Sequence, residues 1–541
     1  MRQFQFEYKN VNNFRRELMR VKRFCNNTLN PGVFFQLFTG LTDFDEITLM
    51  TDELEREFPE AYYYGFQTFG NILDGDISRD KTMIVCSVFE YASTKSHVMY
   101  LDVPGKPSDG HSVQDIWDFC NANPWVKGVE IVSSAKGCNA LGIDQGELNI
   151  RDDIKVFGGV AANPDEVFND TSYVFFKGRG FSDTAAIAVI MGGEDLHLSA
   201  FHVVGWEGLG KTFRITDCEG PIIRSLDNIP PMEIYKTNLG IEENENFFAN
   251  AMQFPILVEE HGIDCLRVPL PSGEHGEVLL MSEPELGAKV RLSYGNRNRI
   301  LQNIYSHMDE VVDFAPECIR TFSCAVRRTF WGKDIGLETK AFNGVSPTVG
   351  FYTHGELLRI GNYLHHMNST LVICLTREGE AVPTPYDVNE ISDVYDYRVT
   401  LADRILKYLN VMTAEAENQY NNIIGAIAQS YKTLLLIDYK ENRITQLDKD
   451  KKTKVLLEYS DDMQKEMEYF IEHIVSDEYL EGMLKYADLS TLRQRLSRKK
   501  LITAEFAGRT TGLYYRAQIY PVMGEGKEIE QAIFATQVME G

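Results

Sequence analysis

Nowhere in the 541 residues is there an unbroken apolar run of the roughly 20 residues that a membrane-spanning helix needs. Apolar stretches such as Ala185–Met191 and Leu434–Ile437 have the length of buried strands, so no membrane span is expected. The amino-terminal stretch through Phe24 has basic residues but no apolar core and no small-residue cleavage site. That excludes a signal peptide and predicts a surface helix within residues 1–30. The nine cysteines lie far apart, are odd in number and form no CxxC pair. Neither a disulfide framework nor a structural zinc site is signalled, and a reducing, cytoplasmic setting is expected. Basic residues are also short, 54 Lys and Arg against 79 Asp and Glu, giving a formal charge of -25. Such a surface does not suit nucleic acid or anionic lipid, so neither is expected as a partner.

What is present is ordinary globular material, 44% hydrophobic and 25% charged, in a chain too long for one folding unit. After the amino-terminal segment, strand and helix patterns alternate from Gly32: GVFFQLFT, DEITLMTDELEREF, AYYYGFQTFG, KTMIVCSVFEY. Closely spaced strands begin at Ile154, and a second mixed series runs from Pro230 to about 385. The fold class expected is α+β: two packed lobes, residues 31–235 and 236–385, on mixed, largely antiparallel sheets. Over 386–430 the pattern becomes one long helix with apolar residues at Val394, Leu401, Ile405, Tyr408, Met412, Ala416, Ile423 and Ile427. Steps of mostly three, four or seven suit a parallel coiled coil, hence a homodimer through Val394–Ile427; a helix packed on its own lobe is the alternative. Residues 431–541 read as two strands, several acidic helices and three strands.

Three motif matches fail on context. Gly205–Thr212 fits the letters of a phosphate-binding loop, but TFRITDCEG follows it as a strand where a helix is required. Met191-Gly192-Gly193-Glu194-Asp195 has the letters of a cyclase hairpin without the metal-binding segment or helical half such a domain needs, so it reads as a turn. His365-His366, with His354 nearby, has no carboxylate or cysteine at ligand spacing in the sequence, and adjacent strand residues point to opposite faces. No metal is expected there.

TFSCAVRRTFWG, SPTVGFYTHGEL and NSTLVICL, within Thr321–Leu375, resemble the carboxyl-terminal half of the FIST family. GFQTFGNIL (Gly65–Leu73), FGGVAANPD (Phe157–Asp165) and Gly205–Gly240 resemble its amino-terminal half, so the likeness covers roughly residues 30–377. The resemblance implies an intracellular sensor that binds a small ligand, amino acids being the usual proposal, and no catalytic residues. Residues 434–539 resemble the PAS-like domains that precede GGDEF diguanylate cyclase domains, which implies a cyclase output supplied by a longer chain or a partner.

Read physically, Gly350–Glu356 ends an apolar strand with polar side chains between glycines that permit close backbone approach. An amino acid needs donors for its carboxylate, which Arg327, Asn368 and Thr370 can supply, and an acceptor for its ammonium, which Glu356 can supply. Tyr352, Thr353 and His354 complete this candidate ligand site, with Gln67 and Thr68 on the matching turn of the first lobe. Plainer roles weigh against each: Arg327 and Glu356 pairing together, His354 capping a turn. No cofactor is expected; the alternative is a haem-based gas sensor with His354 or another histidine as axial ligand. A module that recognises another protein without a small ligand is a further alternative. No nucleophile, base and oxyanion donors gather in one motif, so a regulatory protein is expected and not an enzyme.

Overall fold

The computed structural model describes residues 1–382 and 401–539, apart from 29–30, 79–80, 103–109, 145, 167–170, 274, 440–441, 449–452, 454–455, 458–459, 461, 500 and 524–527. The chain divides into two compact units, Met1–Arg404 and Ile405–Gly541.

In the first unit, three six-stranded sheets repeat one plan. The first contains parallel strands β1 (Gly32–Thr39) and β2 (Tyr62–Gln67), joined through helix α1 (Phe44–Glu57); the hairpin β3 (Asn71–Leu73) and β4 (Asp76–Ile77) follows. The second contains β5 (Val126–Ser133) and β6 (Lys155–Val160), joined through α2 (Ala135–Leu141) and followed by β7 (Val174–Phe176) and β8 (Phe181–Ser182). The third contains β9 (Cys318–Cys324) and β10 (Thr348–Thr353), joined through α3 (Ala325–Trp331) and further turns, and followed by β11 (Gly355–Ile360) and β12 (Tyr363–Met367). These central strands are almost wholly buried, which is why they read as near-continuous apolar runs.

Each hairpin leaves its own sheet. β3 pairs with β10, β7 with β2 and β11 with β6, so the three sheets hand their hairpins round in a closed cycle. Strands from the two expected lobes, 31–235 and 236–385, therefore share sheets, and Met1–Arg404 is one compact unit. The α+β class on mixed, largely antiparallel sheets holds.

The amino-terminal segment also differs from expectation. Arg2–Glu7 is a strand paired antiparallel with Thr82–Phe89, and only Val11–Cys25 is helical. Gln3-Phe4-Gln5-Phe6 alternates with period two, a strand signal that the basic character of the stretch obscured. Phe14, Leu18 and Val21 on this helix and Ile47, Met50 and Leu54 on α1 fall at steps of three and four, giving each helix one apolar face, and all six are buried.

Between Leu196–Val203 and β9 the chain inserts a seven-stranded sheet spanning 206–295. Gly205–Thr212 enters its long strand Trp206–Glu219, and Lys211 pairs with Asp227 at 3.3 Å. The Gly193-Glu194-Asp195 stretch is a turn between two strands.

The second unit contains helix α4 (Leu401–Ala428) from Ile405 onward, and β13 (Thr433–Asp438), β14 (Arg443–Gln446), β15 (Ile502–Ala507), β16 (Tyr514–Met523) and β17 (Ile529–Val538). The strands form an antiparallel sheet ordered β14-β13-β17-β16-β15. Helices between β14 and β15 pack Met467, Phe470 and Leu492 into one core with Ile519 and Phe534. Val394, at the start of the expected coiled-coil seam, lies outside the described residues.

Candidate functional site

The hairpin cycle brings three strand ends together. Phe69 donates its N–H to Tyr352 O (3.1 Å), Ala162 to Gln67 O (3.0 Å) and His354 to Val160 O (2.9 Å), one bond from each sheet to another. Gly65, Gly158 and Gly350 stand opposite Leu37, Ile131 and Thr321, the same register position in each parallel pair. One residue earlier on each first strand stand Gln36, Glu130 and Arg320, which form one buried polar cluster. Glu130 accepts from Gln36 Nε2 (2.8 Å), from the Tyr64 hydroxyl (2.6 Å) and from Arg320. An anion and a cation so deeply buried are tolerated because they are paired.

At the third of these junctions lies a small pocket lined by Val268, Leu270, Met281, Cys324, Ala325, Val326, Thr353, His354 and Asn368. Its free volume is about 20 Å³, the space of roughly one water. Asn368 is buried, its Nδ2 reaches His354 O at 3.5 Å, and its Oδ1 has no hydrogen-bond partner. Behind the wall, Glu356 receives the Thr353 hydroxyl and the Thr370 N–H (3.2 Å), while the Thr370 hydroxyl donates to Asn368 O (2.9 Å). Burial pushes the Glu356 carboxyl well above the ordinary carboxylate range, opposed by the Thr353 and Thr370 bonds and by Arg327 and Arg267. Burial likewise raises the Cys324 thiol, with the Glu356 charge adding to it, which suits a packing role.

The structure therefore unites Thr353, His354 and Asn368 in the pocket wall, with Glu356 and Thr370 bracing it. Arg327 stands elsewhere: it is fully buried, pairs with both oxygens of Glu338 (3.1 and 2.6 Å), donates to Ser369 O (2.8 Å) and lies over Trp206. Its partner is thus Glu338 and not Glu356. Tyr352 is buried among apolar residues such as Ile72, Trp331 and Ile373, beneath the guanidinium of Arg328. Gln67 and Thr68 occupy the matching junction of the first sheet. Gln67 bonds Leu41 O (2.9 Å) and the Tyr173 N–H (3.1 Å), and Thr68 bonds Asn71 (2.8 Å).

Sequence reasoning missed the insert's share of the wall, Val268, Leu270 and Met281, because no local pattern links an inserted sheet to a strand about a hundred residues on. It also missed what flanks His365 and His366. Cys265 Sγ is 3.6 Å from His365 Nδ1, and Cys138 Sγ and an Asp144 oxygen are 3.8 and 3.7 Å from His366 Nδ1. Burial pushes both imidazoles down, His365 to about 4 and His366 to about 3, so both are neutral. A findable signal was the internal repeat G-F-x-T-x-G, present as Gly65–Gly70 and again as Gly350–Gly355.

The fold is thus a mixed α+β module whose strand ends border one small pocket, with Thr353, His354 and Asn368 as its polar side chains. The family model for the FIST N domain matches residues 33–229 and that for the FIST C domain matches 231–359. The chain belongs to the FIST family, whose domains are ligand-binding sensor modules of signal transduction. No curated protein matches the chain. Among the described residues no helix is long and apolar enough to cross a membrane.

Proposed function

We propose that this chain is the sensory region of a bacterial signalling protein, in which a small polar ligand, an amino acid or related metabolite, binds at the third junction. The observation that carries the reading is Asn368: a buried amide oxygen without a donor, on a pocket wall shared with Thr353 and His354. An unsatisfied buried acceptor costs about 1–3 kcal/mol, which a ligand N–H or ammonium recovers. Because the pocket holds about one water, a whole amino acid enters only as the insert's Val268, Leu270 and Met281 draw back. Binding thereby becomes a change in the position of the insert, which is what a sensor needs.

The relay in this proposal is α4, which exposes Ile405, Leu409, Met412, Ile423 and Ile427. A second copy covers the stripe, since a parallel pair sets identical faces against each other and steps of three and four are what such a seam requires. The sheet order second-first-fifth-fourth-third, with helices between the second and third strands, supports the PAS-like reading of the last domain; the output we assign to it is a diguanylate cyclase, which rests on that resemblance alone.

Thermal unfolding of the dialysed protein against a panel of amino acids tests the ligand reading, since a compound at a hundred times its Kd adds about 2.7 kcal/mol to the unit that binds it. A selective upward shift is expected, absent in Asn368→Ala and retained in Gln67→Ala. No shift from any compound overturns the reading. For the relay, sedimentation is expected to give a dimer that Ile423→Glu dissociates; a wild-type monomer at high concentration removes α4 from the mechanism.

A further inference from the structure

The insert reaches the module through the hairpin Ile256–Glu260 and Ile263–Arg267, which packs against β12. There Glu260, Cys265 and His365 bring a carboxylate oxygen, a thiol sulfur and an imidazole nitrogen within 4.8 Å of one another. Cys265 and His365 are 1% and 4% exposed, and the Glu260 side chain 12%. The spacing is informative. Zinc bonds sulfur at about 2.3 Å and nitrogen at about 2.0–2.1 Å, and at a tetrahedral angle those lengths set the two ligand atoms about 3.6 Å apart. The Cys265 Sγ to His365 Nδ1 distance is 3.6 Å.

The surroundings fit as well. His261 stacks on Tyr363 at 3.8 Å, holding the hairpin turn over β12. Arg267 donates through Nε to one oxygen of Glu260 (2.9 Å) and through Nη2 to the other (2.5 Å), and also bonds His366 O. Each carboxylate oxygen keeps a second lone pair, so the guanidinium takes the place of the outer hydrogen-bond donor that ligating carboxylates ordinarily have.

We propose that Glu260, Cys265 and His365 form a site for one borderline-soft divalent cation, of which zinc is the best match, with water in the fourth position. On binding, the thiol releases its proton to solvent and sulfur, the His365 Nδ1 lone pair and a Glu260 oxygen become the ligands. The ion ties to β12 the same insert that supplies Val268, Leu270 and Met281 to the pocket wall.

The test uses the full chain, stripped with a chelator and titrated with zinc alone, then with cobalt as a coloured substitute. One tightly held equivalent of zinc is expected, together with a cobalt–thiolate charge-transfer band, both lost in Cys265→Ser and in His365→Gln. Circular dichroism of the metal-free variants against metal-free wild type ensures that a lost band reports a lost ligand. Uptake below one equivalent by the wild type overturns the proposal. So does a band that survives Cys265→Ser and disappears in Cys138→Ser, which would place the ion against His366 on the opposite face of β12.

Discussion

The first and third junctions share a backbone and differ in what they do with it. Gly65–Asn71 and Gly350–Glu356 both end a parallel strand, and both lay a threonine hydroxyl against the side chain three residues on, Thr68 on Asn71 and Thr353 on Glu356. Asn71 uses its amide hydrogens as well, on Phe38 O (3.3 Å) and Lys81 O (3.2 Å), and so closes the first junction with a neutral group that fits its partners. The third junction holds a carboxyl group in the same place, an Asn368 oxygen without a donor, and a wall brought by an inserted sheet. An identical turn can thus close as a sealed joint or border a pocket. The difference lies in one ionisable side chain and in what packs over it.

The largest effect should come from the buried Arg327–Glu338 ion pair, which reaches the chain next to Asn368 through the Arg327 bond to Ser369 O. Arg327→Met leaves Glu338 charged and enclosed, at a cost of about 3–5 kcal/mol, read as a fall in the denaturant midpoint. Trp331 Nε1 also donates to Glu338 but brings no charge to balance it. Replacing both members, Arg327→Met with Glu338→Leu, should restore most of that stability. If the double variant also keeps the amino-acid shift, Arg327 is a brace; if stability returns and the shift does not, Arg327 contacts ligand.

A smaller effect separates the two glycines. A Cβ at Gly65 would meet the Phe175 ring, its nearest atom 2.0 Å away, and that ring belongs to the short strand β7, which can yield. At Gly350 the obstacle is the backbone oxygen of Thr321, also at 2.0 Å, on the strand paired with it. Overpacking costs about 1–3 kcal/mol, so Gly65→Ala should lie near the bottom of that range and Gly350→Ala near or above its top. Equal losses in thermal unfolding would show that the two junctions are equally rigid.

How much of this could be read from the sequence follows from the range of each interaction. Period-two and apolar runs such as KTMIVCSVFEY mark real strands because that signal is local. The hairpin exchange was invisible, since β3 and β7 are three residues long and pair with strands of another sheet. At the site, Thr353, His354 and Glu356 were named because one motif carries them, and Asn368 and Thr370 because they follow closely. Arg327 was expected to meet the ligand because its partner Glu338 lies on a 3-10 turn that no pattern announced. Cys265 reaches His365 across 100 residues of chain, so ligand spacing in the sequence could not register it.

The two junctions also differ in charge, and that difference has its smallest effect in acid. The folded Glu356 carboxyl titrates above its unfolded value of about 4.3, because burial outweighs the two hydrogen bonds and the arginines. The folded state therefore keeps a proton that the unfolded chain releases. Its contribution to stability is complete below about pH 4.3 and is lost as pH rises through the folded value. Glu356→Gln has no proton to lose. Its amide oxygen can accept the Thr370 N–H while its nitrogen donates to Thr353, whose hydroxyl then donates to Ser323 O, now 3.2 Å away. That is the bonding of the protonated acid, so wild type and variant should match near pH 4. Above it the variant should gain on wild type by up to about 1.4 kcal/mol per pH unit until the folded carboxyl ionises. Parallel stability curves from acid to neutral pH would mean that Glu356 is charged in the folded protein, and the distinction drawn from Asn71 would fail.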